Sequence, residues 1–160
     1  MKENQSGQKV TRAGIVLGIG FSAWFDGFML HMILQWHHML SNVIPPDSME
    51  NMHRLMTADG VFDASSFLVV LTGVFLLWRA AYNHSPIPSL RTFIGQLVFG
   101  FGLFNLVEGV IDHHILAIHY VRQVPDYAVY NWTFLAVAGA LPILLGWVLM
   151  RPGKRAPSSS

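Results

Sequence analysis

The chain has 160 residues, of which 52% are hydrophobic and only 12% charged, about half the charged share of an ordinary soluble domain, roughly 25%. The length suits one compact unit, and a net charge of +1 gives no footing for a nucleic-acid partner. With no cysteine, disulfides, thiolate metal sites and thiol nucleophiles are excluded.

A bilayer core about 30 Å thick needs about 20 mainly apolar residues per helix. Four segments reach that length, at about 13–40, 62–82, 92–121 and 127–150. The first holds Asp26 and His31 and is followed by no small-x-small cleavage site, so it reads as a retained helix rather than a secretory signal. Residues 1–12 then form an N-terminal segment, 13–150 the four-helix domain, and 151–160 a disordered tail ending Ala156-Pro157-Ser158-Ser159-Ser160.

Lys2, Lys9 and Arg12 precede the first helix, Arg79 and Arg91 flank the second connection, and Arg151, Lys154 and Arg155 follow the last helix; Arg54 and Arg122 stand alone on the other side. The positive-inside rule places both termini on the cytoplasmic side of the membrane. The connection at about 41–61 then faces outward. The turn Asn83-His84-Ser85-Pro86-Ile87-Pro88 is cytoplasmic, and its prolines stop the second helix. Short connections favour antiparallel neighbours and hence a four-helix bundle. Glycines at 14, 18, 20, 95, 100 and 102 offer small surfaces for close packing in lipid.

The first and third helices repeat one pattern. Asp26-Gly27, His31 and His37 match Glu108-Gly109, His113 and His119, each [Asp/Glu]-Gly-x3-His-x5-His. This implies an all-α fold of two parallel helix-pair repeats about an axis along the membrane normal. The second and fourth helices match more weakly, sharing an apolar run that ends in Trp78 or Trp147. On an ideal α-helix the acid and last histidine fall nearly on one line, while the middle histidine points about 140° away. His31 shares a second stripe with His38, and Asp112 falls on the stripe of Glu108 and His119. One mononuclear site cannot recruit all these groups on that geometry, so paired sites or a stacked polar column fit better. At 1.5 Å per residue, His31 and His113 lie roughly 28 and 33 Å from the cytoplasmic boundary, toward the outer face. Acids as deep as Asp26 and Glu108 are costly in hydrocarbon unless neutral, paired or wet, and suggest function by default.

Six histidines on two helices (His31, His37, His38, His113, His114, His119) point to a transition metal, copper or zinc, with Asp26, Glu108 and Asp112 as ligands or supporting partners. The bland alternative is carboxylate–histidine pairs that merely staple the bundle. Six of the eight methionines fall between Met29 and Met56; thioethers favour Cu(I), although methionine is also a common packing filler. A second reading is a b-type cytochrome with haem b between His31 and His113. A third is proton or ion translocation along an Asp26/Glu108–histidine column, and a fourth a structural assembly subunit. No phosphate loop, His-Glu-x-x-His, Glu-x-x-His or serine-nucleophile motif occurs, which argues against the common enzyme classes. Besides the lipid bilayer, a second copy of the chain is the partner to consider.

Asp26-Gly27 through His31, the run Gln35-Trp36-His37-His38-Met39-Leu40, and Asn105-Leu106-Val107-Glu108-Gly109 with Asp112-His113-His114 and His119 resemble a family of bacterial membrane proteins, domain of unknown function 2243. Ala58-Asp59-Gly60-Val61-Phe62 and Leu76-Leu77-Trp78-Arg79 fit the same resemblance. It covers nearly the whole span of the four helices, implies a four-helix membrane protein and supplies no activity. Relatives often carry histidine where this chain has Asp63 and Tyr120; Asp63 retains the capacity to coordinate. Their association with cytochrome oxidase assembly factors implies copper or haem, with respiratory oxidase assembly proteins as partners.

Overall fold

The computed structural model describes residues 2–86 and 88–151, with side chains from Ala13 onward; apart from Arg151, the expected disordered tail lies outside the described residues. The fold is all-helical, with no strand among the described residues. Helix α1 (Lys2–Asp26) continues as a π-helical turn, Gly27–Ile33. Helix α2 covers Met49–Tyr82. Helix α3 (Leu90–Val110) also ends in a π-helical turn, Ile111–Ile115. Helices α4 (Tyr127–Phe134) and α5 (Leu141–Met150) are joined through the π-helical stretch Leu135–Ala140. Four stretches are long and apolar enough to cross a membrane: Ala13–Ile33, Met49–Tyr82, Leu90–Ile115 and Tyr127–Met150.

The boundaries differ from those that apolar runs alone suggest. Ser48 caps α2, its hydroxyl accepting from the Asn51 amide at 3.2 Å, so that helix starts well before residue 62. At about 1.5 Å per residue, its 34 residues extend roughly 50 Å, well beyond a 30 Å hydrocarbon core. The first and third helices stop short of 40 and 121, because Gln35 and Ala117 adopt positive φ of 49° and 48°. A left-handed residue ends the helical path, and the chain turns back over the helix end.

Helices α1 and α3 form the centre, while α2 packs on α1, and α4 and α5 on α3. The central crossing is reciprocal. A side chain at Gly18 would run into the Leu97 carbonyl, and one at Gly100 into the Ile15 carbonyl. Ser22 adds a 3.1 Å hydrogen bond to the Phe101 carbonyl. The outer helices turn Phe67, Leu68, Leu71, Phe75, Leu141, Leu144 and Leu145 outward, an apolar surface far too continuous for water and suited to acyl chains.

Pro142 lacks an amide, so the Ala138 carbonyl four residues earlier loses its helical donor. Asn105 Nδ2 supplies one at 3.1 Å. The π-helical stretch accommodates one extra residue in this span. On its N-terminal side, Phe134 packs on His113 as Phe62 packs on His31, at 5.5 and 5.7 Å between ring centroids. Beyond it, Gly146 abuts Phe99 as Gly73 abuts Leu17.

Candidate metal centre

An α-helix would turn His31 about 140° away from Asp26 and set His37 eleven residues beyond Asp26 along the axis. A π-helix closes hydrogen bonds between residues five apart, and five is the separation of Asp26 from His31 and of Glu108 from His113. The π-helical turns therefore bring each acid and middle histidine together, and the left-handed residues Gln35 and Ala117 fold the last histidine back over them. The two turns are built alike: Leu34 N donates to Met29 O at 2.8 Å and Leu116 N to Ile111 O at 2.7 Å. Trp36 N donates to Leu30 O at 2.9 Å and Ile118 N to Asp112 O at 3.0 Å.

Two buried clusters result, Asp26–His31–His37 and Glu108–His113–His119, each offering three ligand atoms within 4.8 Å of one another. In the first, His31 Nε2 lies 2.9 Å from His37 Nε2 and 3.4 Å from Asp26 Oδ2. In the second, Glu108 Oε1 lies 2.9 Å from His113 Nε2 and 3.1 Å from His119 Nε2. Ligands at the corners of a tetrahedron around zinc, with bonds of about 2.0–2.1 Å, stand about 3.3 Å apart. The spacing fits such an ion.

The hydrogen-bond lines fit it too. His31 Nδ1, Glu108 Oε2 and both His113 nitrogens are buried without a hydrogen-bond partner. His113 Nε2 is at ion-pair distance from Glu108, yet out of hydrogen-bonding line with it. His113 Nε2 and the Glu108 carboxylate thus crowd a common point without satisfying one another, which is expensive in a dry interior; a cation shared between them would satisfy both.

Outer partners fix the ring orientations. His37 Nδ1–H donates to the Val121 carbonyl at 2.9 Å, and His119 Nδ1–H to the Met39 carbonyl at 3.0 Å. A carbonyl only accepts, so both Nδ1 atoms carry the proton and both Nε2 lone pairs face the clusters, as metal-binding histidines require. Burial pushes the His37 imidazole well below its ordinary range, with His119 and His31 acting in the same direction. Both effects favour the neutral ring, the form that ligates metal.

The clusters touch. His37 and His119 stack at 4.5 Å between centroids, while His31–His37 and His113–His119 meet edge-on at 4.5 and 4.7 Å. The cross distances His31–His119 and His37–His113 are both 6.2 Å.

The other sequence candidates stand outside both clusters. His38 Nδ1 bonds Asp59 Oδ2 at 2.6 Å. His114 Nδ1 donates to the Gly109 carbonyl at 2.8 Å, its ring 4.8 Å from Trp132. Asp112 is half-buried at the head of its π-helical turn. The wheel stripes that joined His31 to His38 and Asp112 to Glu108 assume α geometry, which the chain has left by those positions.

Sequence reasoning missed Asp59 as a site residue. Its Oδ1 accepts from the Met39 amide at 2.8 Å and lies 3.2 Å from His31 Nδ1, so one carboxylate spans His31 and His38. Beside the second cluster, Asn131 takes the corresponding place, its Oδ1 accepting from the Val121 amide at 3.1 Å. Asp63 faces Gly27, where a side chain would collide with it, and its buried Oδ1 has no partner. The Ser48 cap, with an acid and a polar run behind it, was the signal that α2 starts early enough to carry Asp59 and Asp63 to the site.

Four apolar spans around paired His/carboxylate clusters define a multi-pass helical membrane protein with groups that could hold metal. The chain belongs to the family of predicted membrane proteins termed domain of unknown function 2243, whose model matches residues 13–153. No curated protein and no solved structure matches it.

Proposed function

We propose that this protein is a multi-pass membrane metal-binding protein that holds two transition-metal ions, zinc or copper, one in each cluster. The observation that carries this reading is the doubled cradle: two histidine nitrogens and one carboxylate oxygen within 4.8 Å, twice. Imidazole with carboxylate is a borderline donor set that suits both metals. Each triad leaves a further coordination position open, the arrangement of a site that exchanges or delivers its ion rather than one that only braces a fold.

Positions 82 apart share the π-helical turn, the left-handed residue, the triad and the crossed carbonyl bonds. We read them as one helix-pair unit used twice in parallel. With both termini cytoplasmic under the positive-inside rule, the clusters stand at the outer ends of the first and third spans.

The geometry favours ions over haem. The rings of His37 and His119 stand between His31 and His113, stacked on each other, and leave no slot for a porphyrin. A proton relay across the bilayer is also disfavoured. No titratable side chain occurs between Ala13 and Asp26, or between Arg91 and Glu108.

Elemental analysis of untagged protein purified in detergent and dialysed against zinc tests the proposal. Two equivalents are expected in the wild type, one in His31→Ala or His113→Ala, and none in the double variant. Stoichiometric metal retained by a folded double variant would overturn it.

A further inference from the structure

The two clusters match, but their surroundings do not. Beside the first is a cavity of about 220 Å³ lined by His31, Met32, Gln35, His38, Met52, Met56 and Asp59. A second, of about 360 Å³, touches His37 and shares Gln35, His38 and Met52 with it. His38 and Met52 thus stand between two cavities, each of which reaches one histidine of the buried triad. Beside the second cluster, the cavity is lined by His113, His114, Ala117, Tyr120, Tyr127, Ala128, Asn131 and Trp132. It offers neither thioether nor carboxylate. Tyr120 occupies the place of His38, and Asn131 that of Asp59.

We propose that His38, Met52, Met56 and Asp59 form an outer loading site for a soft monovalent cation of the Cu(I) class, which feeds the Asp26–His31–His37 cluster. This rests on the reading that the buried cluster holds metal. Asp59 accepts the His38 Nδ1 proton at 2.6 Å, which leaves the Nε2 lone pair free to ligate. Two thioethers and an imidazole are the donors that soft monovalent ions select over hard divalent ones. The Asp59 carboxylate supplies the negative charge that lowers the cost of taking a cation out of water.

The transfer distance is short. Asp59 Oδ1 is 3.2 Å from His31 Nδ1, and the other nitrogen of that same ring belongs to the buried cluster. An ion held at the outer site is therefore one imidazole ring away from the triad. The cavity beside the Glu108 cluster offers no thioether or carboxylate, so the loading site serves the Asp26–His31–His37 cluster. His31 Nδ1, buried and without a hydrogen-bond partner, is the unsatisfied atom between the two positions.

The test uses the whole chain in detergent and compares wild type with Met52→Leu/Met56→Leu, a pair of like-sized apolar changes. Met56 is exposed and Met52 half-buried, so the fold survives, and a monodisperse elution profile checks it. Each protein is saturated with Zn(II), and separately with Ag(I) as a redox-inert substitute for Cu(I), then analysed for bound metal. The expected result is equal zinc in both proteins and one Ag(I) equivalent fewer in the variant. Equal silver in both overturns the loading site and leaves the buried clusters standing. Absence of zinc from both overturns the buried-cluster reading, and the loading role with it.

Discussion

His37 and His119 lie face to face, their ring planes 7° from parallel and their centroids 4.5 Å apart, and each is anchored by the chain segment that carries the other. His37 donates to Val121, two residues beyond His119; His119 donates to Met39, two residues beyond His37. The two candidate metal sites are thus stitched together by crossed bonds.

Replacing His37 with Phe keeps a flat ring in the stack but removes both nitrogens. The first cluster loses one of its three ligands, and the buried Val121 carbonyl loses its donor, which costs about 1–3 kcal/mol. The expected outcome is one zinc equivalent instead of two, with a lowered unfolding midpoint in detergent. His119→Phe should give the mirror result. A variant that keeps two equivalents would remove His37 from the ligand set.

The left-handed residues make a prediction about stability alone. Holding a residue with a side chain in this conformation costs about 1–2 kcal/mol, and glycine avoids that cost while giving back part of it through unfolded-state entropy. Ala117→Gly should therefore be neutral or stabilising by up to about 1 kcal/mol. Ala117→Val, β-branched at a φ of 48°, should destabilise by about 1–2 kcal/mol. Thermal unfolding of both variants reads the difference; a glycine variant clearly less stable than wild type would contradict the strain argument.

Much of this architecture was legible in the sequence, and the reason is physical. Apolar runs of membrane length leave few alternatives to helices, and the recurrence of Asp26, His31 and His37 at Glu108, His113 and His119 marks the groups that come together. What periodicity could not supply was the local change in winding. The α-helical wheel separates Asp26 from His31, whereas one turn of π-helix aligns them; no residue pattern here distinguishes the two in advance. Asp59 was hidden for a related reason. The polar stretch before residue 62 reads as a loop until the Ser48 cap is recognised, and only a helix from Met49 carries that carboxylate back over His31.

The α1–α3 crossing is the most sensitive packing point. A side chain at Gly18 or Gly100 meets backbone carbonyl rather than a movable side chain, so the helices must separate to accommodate it. Overpacking of this kind typically costs about 1–3 kcal/mol and occasionally more. Because the clusters draw ligands from both chain segments' ends, Gly100→Val should lower zinc stoichiometry as well as stability, although it lies two turns from Glu108. Full zinc binding with an unchanged unfolding midpoint would mean that the close approach is not required.

Asp59 and Asn131 give the sharpest comparison between the two sites. Each accepts a backbone amide, from Met39 and Val121 respectively, so exchanging acid for amide preserves that bond. What changes is the partner of the histidine behind it. Asp59→Asn removes the charge beside His31 Nδ1 and the 2.6 Å bond from His38, and loss of such an outer partner typically weakens metal binding 10–100-fold. Zinc titration should then show one site weakened by that factor and the other unchanged. Asn131→Asp should weaken the Glu108 site instead, since Asn131 Nδ2 donates to the His113 carbonyl at 3.5 Å and a carboxylate there would lose that donor and set an acceptor against an acceptor. If both substitutions leave both affinities unchanged, the carboxylate does not act on the histidines through these contacts, and Asp59 and Asn131 serve alike as acceptors for a backbone amide.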